Sequence, residues 1–397
     1  MNIHRSNPGD FDPSFGIEGK AELPAFVSPL IGRNLTGIAL QDRKILASAQ
    51  AFDSKGGRHY ALTRFNFDGS VDETFANQGI VVDRFVPDEH ASTEALALLP
   101  DRGFALLAWS AMPSNFLAIP RLVRYDTDGN NPDTQMLDVP PGMGMLIGSG
   151  RLTSNGPYLL AALNFHAAQG APSAMARVYQ LEHDGQPATG VAKFVDILPG
   201  MGQINVAEII QRPEGFVVSG THSQQAMAAE GFIARYHHDG ALDTSFGDGG
   251  KLFFRAKGHA TQINALLRKP DGQLLVAGKV TNGEGKSQAM LMQFDHNGLP
   301  DRAFNGAEPV LDDLGMTAWH KGAIDDQQRL IAFGEGKFLE YHRFLANGST
   351  DENFSPYLGL IGITDAMTCL NQGDRTLIGF NSTALSGFLG TVMAIHN

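Results

Sequence analysis

Asp239-Gly240-Ala241-Leu242-Asp243-Thr244-Ser245-Phe246-Gly247-Asp248-Gly249-Gly250 is the fullest copy of a turn that the chain writes seven times, on Gly9, Gly69, Gly129, Gly185, Gly240, Gly298 and Gly348. Successive glycines stand 60, 60, 56, 55, 58 and 50 residues apart, the footprint of a repeat architecture. Five copies carry an Asp three residues after the glycine and a Phe six after it: Asp12/Phe15, Asp72/Phe75, Asp243/Phe246, Asp301/Phe304 and Asp351/Phe354. Glycine admits the positive φ of a tight turn, and a short carboxylate accepts bonds from nearby backbone N–H groups. Burying each Phe contributes roughly 1.5 to 3 kcal/mol. A catalytic group is rarely needed five times, so these ten residues read as structural framework.

Between turns the pattern predicts four strands per repeat. After Phe75, residues 79–85 alternate as a first strand, 93–99 form a second and 103–109 a third, joined by Pro100-Asp101-Arg102-Gly103, and 119–125 form a fourth. The same grammar returns around Lys269-Pro270-Asp271-Gly272. Such strands are apolar on both faces, as expected for sheets sandwiched between neighbouring sheets. The expectation is an all-β fold: a seven-bladed β-propeller of four-stranded antiparallel blades, one domain over residues 1–397. The last strand, 392–396, ends where another glycine turn would fall due, so the N- and C-termini are expected to meet and close the ring.

The repeat resembles the delta-60 repeat family of bacterial β-propellers, whose unit reads approximately D-G-x-L-D-x-x-F-G-x-x-G. The resemblance covers nearly the whole chain. It implies the fold and carries over no catalytic residue and no common ligand.

With 46 Gly and 20 Pro among 397 residues the chain is turn-rich, and its net charge of −12 argues against nucleic acid or an anionic membrane as partner. No stretch is long and apolar enough to span a bilayer, and residues 1–20 lack the apolar core of a signal peptide. A cytoplasmic monomer is expected, with leaderless secretion as the alternative. Cys369 stands alone in an apolar strand and reads as a buried small hydrophobe. H-E-x-x-H, C-x-x-C and G-x-S-x-G motifs are absent, and Gly283-Glu284-Gly285-Lys286-Ser287 reads as a hairpin connection, not a phosphate loop. His183, His237, His238 and His296 fall beside the glycine turns and read as surface residues.

Function is sought where the repeats disagree. One end of the strands is written in repetitive tight turns; connections at the other end vary, which is where binding specificity usually resides on a rigid scaffold. Repeats three and four both lose the framework pair, with Pro132 and Gln135 in one and Ala188 and Val191 in the other. They share Pro141-Gly142-Met143-Gly144 and Pro199-Gly200-Met201-Gly202, with Met145 and Met316 extending the theme. Met143, Met145, Met201 and Met316 are therefore the candidate partner-binding residues. Asp83, Asp138, Asp196 and Asp312 end the first strand in four repeats, and if that strand lined a central channel they could converge on a cation. Phe254 and Gly362 break that ring. Asp126-Thr127-Asp128-Gly129-Asn130-Asn131-Pro132-Asp133 is oxygen-rich but lacks the distal Glu of a calcium loop. Trp109 and Trp319 read as inter-blade packing, leaving Tyr60, Phe116 and Tyr158 as aromatic platforms for a glycan.

The expected function is a non-enzymatic scaffold engaging a protein or other macromolecule through its variable face, with no required cofactor. The alternatives are an enzyme (hydrolase, lyase or isomerase) using an acidic channel with Ca2+ or a similar cation, and a lectin.

Overall fold

The computed structural model describes residues 7–25, 30–113, 117–167, 175–224, 227–313, 315–336, 339–355, 363–384 and 387–397. Among these, helix is confined to the single 3-10 turns Ala256–Gly258 and Asn305–Ala307; the rest is antiparallel sheet and turns. The fold is a β-propeller. A typical four-stranded sheet joins Gln203–Arg212, Gly215–Ser223, Glu230–His237 and Lys251–Phe254 in sequence order. Comparable four-stranded sheets begin at His90 and Ala260.

The sheet order shifts the sequence repeat by one strand. Asp72 N–H bonds back to the Arg64 carbonyl, so the chain leaving the turn stays beside the strand it has just left. Ile80–Asp83 therefore pairs with Arg58–Phe65 at the outer edge of that sheet, and His90–Leu98 opens the next. Among the described residues, the strand read as first in a repeat is thus an outermost strand, and the strand read as second is innermost.

The chain ends meet across one sheet. Lys20–Glu22 pairs antiparallel with Gly387–His396, Lys20 opposite Met393, and Gly9 N–H donates to the His396 carbonyl at 2.9 Å.

The core is divided among the interfaces between successive sheets. Trp109, Leu159 and Tyr179 form one such cluster, Trp319, Leu275 and Phe304 another, and Leu35, Leu377 and Val392 a third that joins the N- and C-terminal sheets. Trp109 and Trp319 are both buried, as inter-sheet packing requires. Cys369 is buried among Phe333, Tyr341 and Ile378, and burial pushes its thiol up to about 12.

The framework residues form a three-part lock. Phe15, Phe75, Phe246, Phe304 and Phe354 are all buried. Asp72 pairs with Arg64 at 2.6 Å while the guanidinium lies over Phe75, 4.8 Å from its centroid. Arg235 with Asp243 and Phe246, and Arg343 with Asp351 and Phe354, repeat the arrangement. In each the Arg stands eight residues before the Asp. Gln293 replaces it at Asp301, and Arg375, from another strand, serves Asp12 and Phe15.

Phe15, Phe75, Phe246 and Phe304 also reach the glycine of the following repeat. A Cβ on Gly298 would lie 3.0 Å from the Phe246 ring, and one on Gly348 3.0 Å from Phe304. The turn glycine thus answers two demands, a positive φ (+85° at Gly298) and the ring pressed against it. Where the pair is lost, Gln135 Nε2 bonds the Gly185 carbonyl, and Val195 and Ala192 pack beneath Gly240.

Candidate functional site

Five of the described innermost strands carry an irregularity near their middle. The register slips between Leu35 and Gly37, Thr93 and Ala95, Val206 and Glu208, Ile263 and Ala265, and Trp319 and Lys321. A bulge leaves one residue unpaired and re-aims its side chain. The five residues left over are Thr36, Glu94, Ala207, Asn264 and His320, and all five line one central cavity of about 640 Å3. In the remaining sheets, residues 147–151 and Thr368 complete the wall.

Two amide clamps steady strands at their bulges. Asn381 accepts from the Leu35 N–H at 2.7 Å and donates to its carbonyl at 3.0 Å; Asn164 treats Val206 likewise, at 2.7 and 2.8 Å. These side chains replace the ladder partners that the neighbouring bulge disturbs.

A charged network crosses the cavity. Lys321 Nζ lies 3.5 Å from Glu208 Oε2, and Arg151 Nε lies 4.0 Å from the same oxygen while donating to the Ala207 carbonyl at 2.7 Å. These three side chains come from three different sheets. Burial, with Arg151 adding to it, holds the Lys321 ammonium below the usual lysine range against the pull of Glu208. Glu94 accepts from Gly148 N–H at 2.7 Å and Gly150 N–H at 3.3 Å; burial still raises its carboxyl above the usual range, with those bonds and Arg151 opposing. Arg151 and Lys321 are thus committed to carboxylates. Arg58, at the start of its strand, also lines the cavity and has no carboxylate within ion-pair distance among the described residues.

The residues singled out in the sequence lie elsewhere. Asp83, Asp138, Asp196 and Asp312 follow or end outermost strands on four sheets, and none lines the cavity. Asp83 accepts from the Arg84 N–H, Asp196 pairs with Arg177 at 2.6 Å, and Asp312 accepts from Gly315 and Met316 N–H at 2.8 and 2.7 Å. The Asp138 carbonyl accepts from the Tyr179 hydroxyl. The converging acidic channel is corrected by the strand shift described above. Gly362, its break on the last repeat, lies outside the described residues. Among the described residues no group of three His, Cys, Asp or Glu could hold a metal. The oxygens of Asp126 serve Asp128 N–H, Asn130 N–H and the Asn131 amide within its own turn.

The methionine patch is corrected in the same way. Met145 and Met316 are buried, each in a different inter-sheet cluster, because both stand where a neighbouring sheet covers them. Met143 and Met201 are half-buried against two separate clusters and form no common exposed surface. Tyr60 is buried with its hydroxyl 2.9 Å from that of Tyr125, and Tyr158 packs edge-on to His238; Phe116 lies outside the described residues.

Sequence reading missed Thr36, Arg58, Glu94, Arg151, Glu208 and Lys321. The available signal was a polar residue interrupting an apolar strand, as in Ile263-Asn264-Ala265-Leu266. Alternation cannot reveal that the interruption is a bulge facing the central cavity.

A family model described as "Domain of unknown function (DUF5122) beta-propeller" matches residues 40–75 and 269–304, and both matches end on a framework Phe. No curated protein matches the chain. Among solved structures, the polysaccharide lyase Uly1 aligns at TM-score 0.56 and 10% identity, over 100% of this chain and 95% of that one. The β-propeller domain of the Trilobed protease from Pyrococcus furiosus aligns at TM-score 0.51 and 10% identity, over 92% and 96%. An acylaminoacyl peptidase aligns at TM-score 0.53 and 10% identity over 92% of this chain, which spans about half (52%) of the peptidase. At these identities the likeness is one of fold.

Proposed function

We propose that the chain is a single closed ring of seven blades, of the delta-60 repeat type, acting as a non-enzymatic binding protein that engages a protein partner through its variable face. Closure is supported by Lys20–Glu22 at the edge of the C-terminal sheet and by the shared core of the first and last sheets.

The observation that carries the binding reading is a contrast between the two ends of the sheets. At the glycine-turn end, side chains are spent on neighbouring turns: Gln41 donates to the Arg102 and Thr127 carbonyls, and Arg235 to that of His296. At the other end, where the connections vary, the cavity is flanked by Arg58 and by Asn34, whose buried Oδ1 has no hydrogen-bond partner among the described residues. Unused hydrogen-bonding capacity at a concave site favours a ligand there. Among the described residues, Arg151 and Lys321 are paired with Glu208, and Glu94 accepts from two backbone N–H groups; these acidic groups are engaged, while Arg58 is left without a carboxylate.

Affinity capture from native lysate tests the reading, with partners identified by mass and rebuilt from purified components. Capture should be lost when residues 111–118 and 282–286 are replaced by Gly-Ser, and kept when the opposite-end turn 99–103 is replaced. The reverse pattern would overturn it.

A further inference from the structure

We infer that the central cavity receives the extended C-terminal segment of a partner protein, its terminal carboxylate on Arg58 and its peptide groups on side-chain amides. This rests on the protein-binding reading above and names what that partner inserts.

The charge at this corner of the cavity favours an anion. Arg58 is the lining cation with no carboxylate within ion-pair distance among the described residues, whereas Arg151 and Lys321 share Glu208. Beside it, His90 is held below the usual imidazole range by burial and then by Arg58 and Arg84, with Asp53 opposing. On a chain of net charge −12, one unpaired guanidinium in a concave wall focuses the local field on a single carboxylate without attracting a polyanion. Guanidinium and carboxylate match as a two-bonded pair.

The amides favour a peptide chain. Asn34 stands directly opposite Gln50 in the ladder, and Arg58 opens the next strand of the same sheet, opposite Phe52. Asn34, Gln50 and Asn205 line the cavity and make no side-chain hydrogen bond among the described residues. A carboxamide offers one donor face and one acceptor, the complement of a peptide group. The wall contains no Trp, Tyr or Phe among its lining residues, so the stacking platform a sugar ring would use is missing. Ile147, which is exposed, and Leu96, which is half-buried, supply aliphatic contact for side chains between the polar groups. At about 640 Å3 the cavity falls in the ligand-pocket range of roughly 300–1,000 Å3.

The test uses the whole chain against two bead-displayed hexapeptide libraries of the same composition, one with free C-terminal carboxylates and one amidated. Selection is expected from the first library alone. The best selected peptide should lose roughly tenfold or more in affinity on amidation, the scale of a lost charge-assisted bond. Arg58→Gln should abolish that difference between acid and amide. Asn34→Asp, isosteric but charged, should weaken the free-acid peptide more than its amide, and unchanged melting of both variants separates lost contact from lost fold. Equal selection from both libraries, no selection, or affinity indifferent to both substitutions would overturn the inference. So would binding of maltotriose that is lost in Asn205→Leu, which would assign the cavity to a glycan. Loop-dependent capture of a partner alongside failed peptide selection would sink this inference and leave the binding reading standing.

Discussion

The backbone N–H of Ser355 donates to the carbonyl of Pro8 at 3.0 Å, joining the last glycine turn to the first. The same bond links successive turns along the chain: Ala76 to Asp128, Gly247 to Asn297, and Asn305 to Asn347. Residues 347 positions apart thus make the contact that neighbouring repeats make, on the rule that the residue after each Phe position bonds the residue before the next glycine. Removing residues 1–22 deletes Pro8, the edge strand Lys20–Glu22 and Phe15, whose loss alone should cost about 3–5 kcal/mol on the large-to-small scale. Calorimetry should show a larger loss than that, and hydrogen exchange should accelerate first in Gly387–His396. Unchanged protection of that strand would refute closure through the N-terminus.

The Arg–Asp–Phe lock makes a graded prediction. Phe246→Ala should cost about 3–5 kcal/mol, because the ring is buried under Arg235 and against Gly298. Val191→Ala should cost about 1 kcal/mol or less, since Val191 is half-buried and Val195 and Ala192 pack beneath the next glycine there. Equal denaturant midpoints for the two variants would show that Phe246 is not inter-sheet core.

Acid stability should follow the lock carboxylates. Burial by itself would raise the Asp243 carboxyl, but the hydroxyl and N–H of Ser245 and the Arg235 guanidinium outweigh it and hold it at about 2. Asp12 and Asp72 are lowered as well. A depressed carboxyl contributes stability above its unfolded value, near 3.9, and that contribution disappears as pH falls through the folded value. For Asp243 the window runs from about pH 4 down to about 2, with roughly 2 kcal/mol at stake. Asp243→Asn should lower the melting temperature at pH 7 and flatten its fall between pH 4 and 2. Parallel melting curves for the two proteins across that range would contradict the pairing.

Cys369 should resist alkylation. Its thiol is buried and pushed up to about 12, so thiolate is scarce at pH 8. Iodoacetamide should label it only as fast as the chain opens, and labelling should become immediate in denaturant. Fast labelling of the native protein would place the side chain at the surface.

Legibility differed sharply between framework and site. Asp72, Phe75 and Gly129 could be read together because turn chemistry repeats at fixed spacing, and the strands 90–98 and 104–111 fell within a few residues of their expected places. The lock arginines escaped notice because an ion pair such as Arg64 with Asp72 looks like two unrelated surface residues until the turn folds the chain back between them.

The sequence by itself determined the repeat, the all-β class and which Phe and Gly residues hold successive turns together, since each of these depends on neighbours within one repeat. Only the tertiary structure decided which strand lies innermost, and with it which residues share a site. Asp83 and Asp312 lie on outer edges, while Arg151, Glu208 and Lys321, separated by as many as 170 residues, reach across one cavity. The physical reason is the Asp72 N–H bond to Arg64, repeated from turn to turn, which returns each outgoing strand to the sheet it came from. A one-strand shift leaves every local pattern unchanged and exchanges the inside of the molecule for its rim.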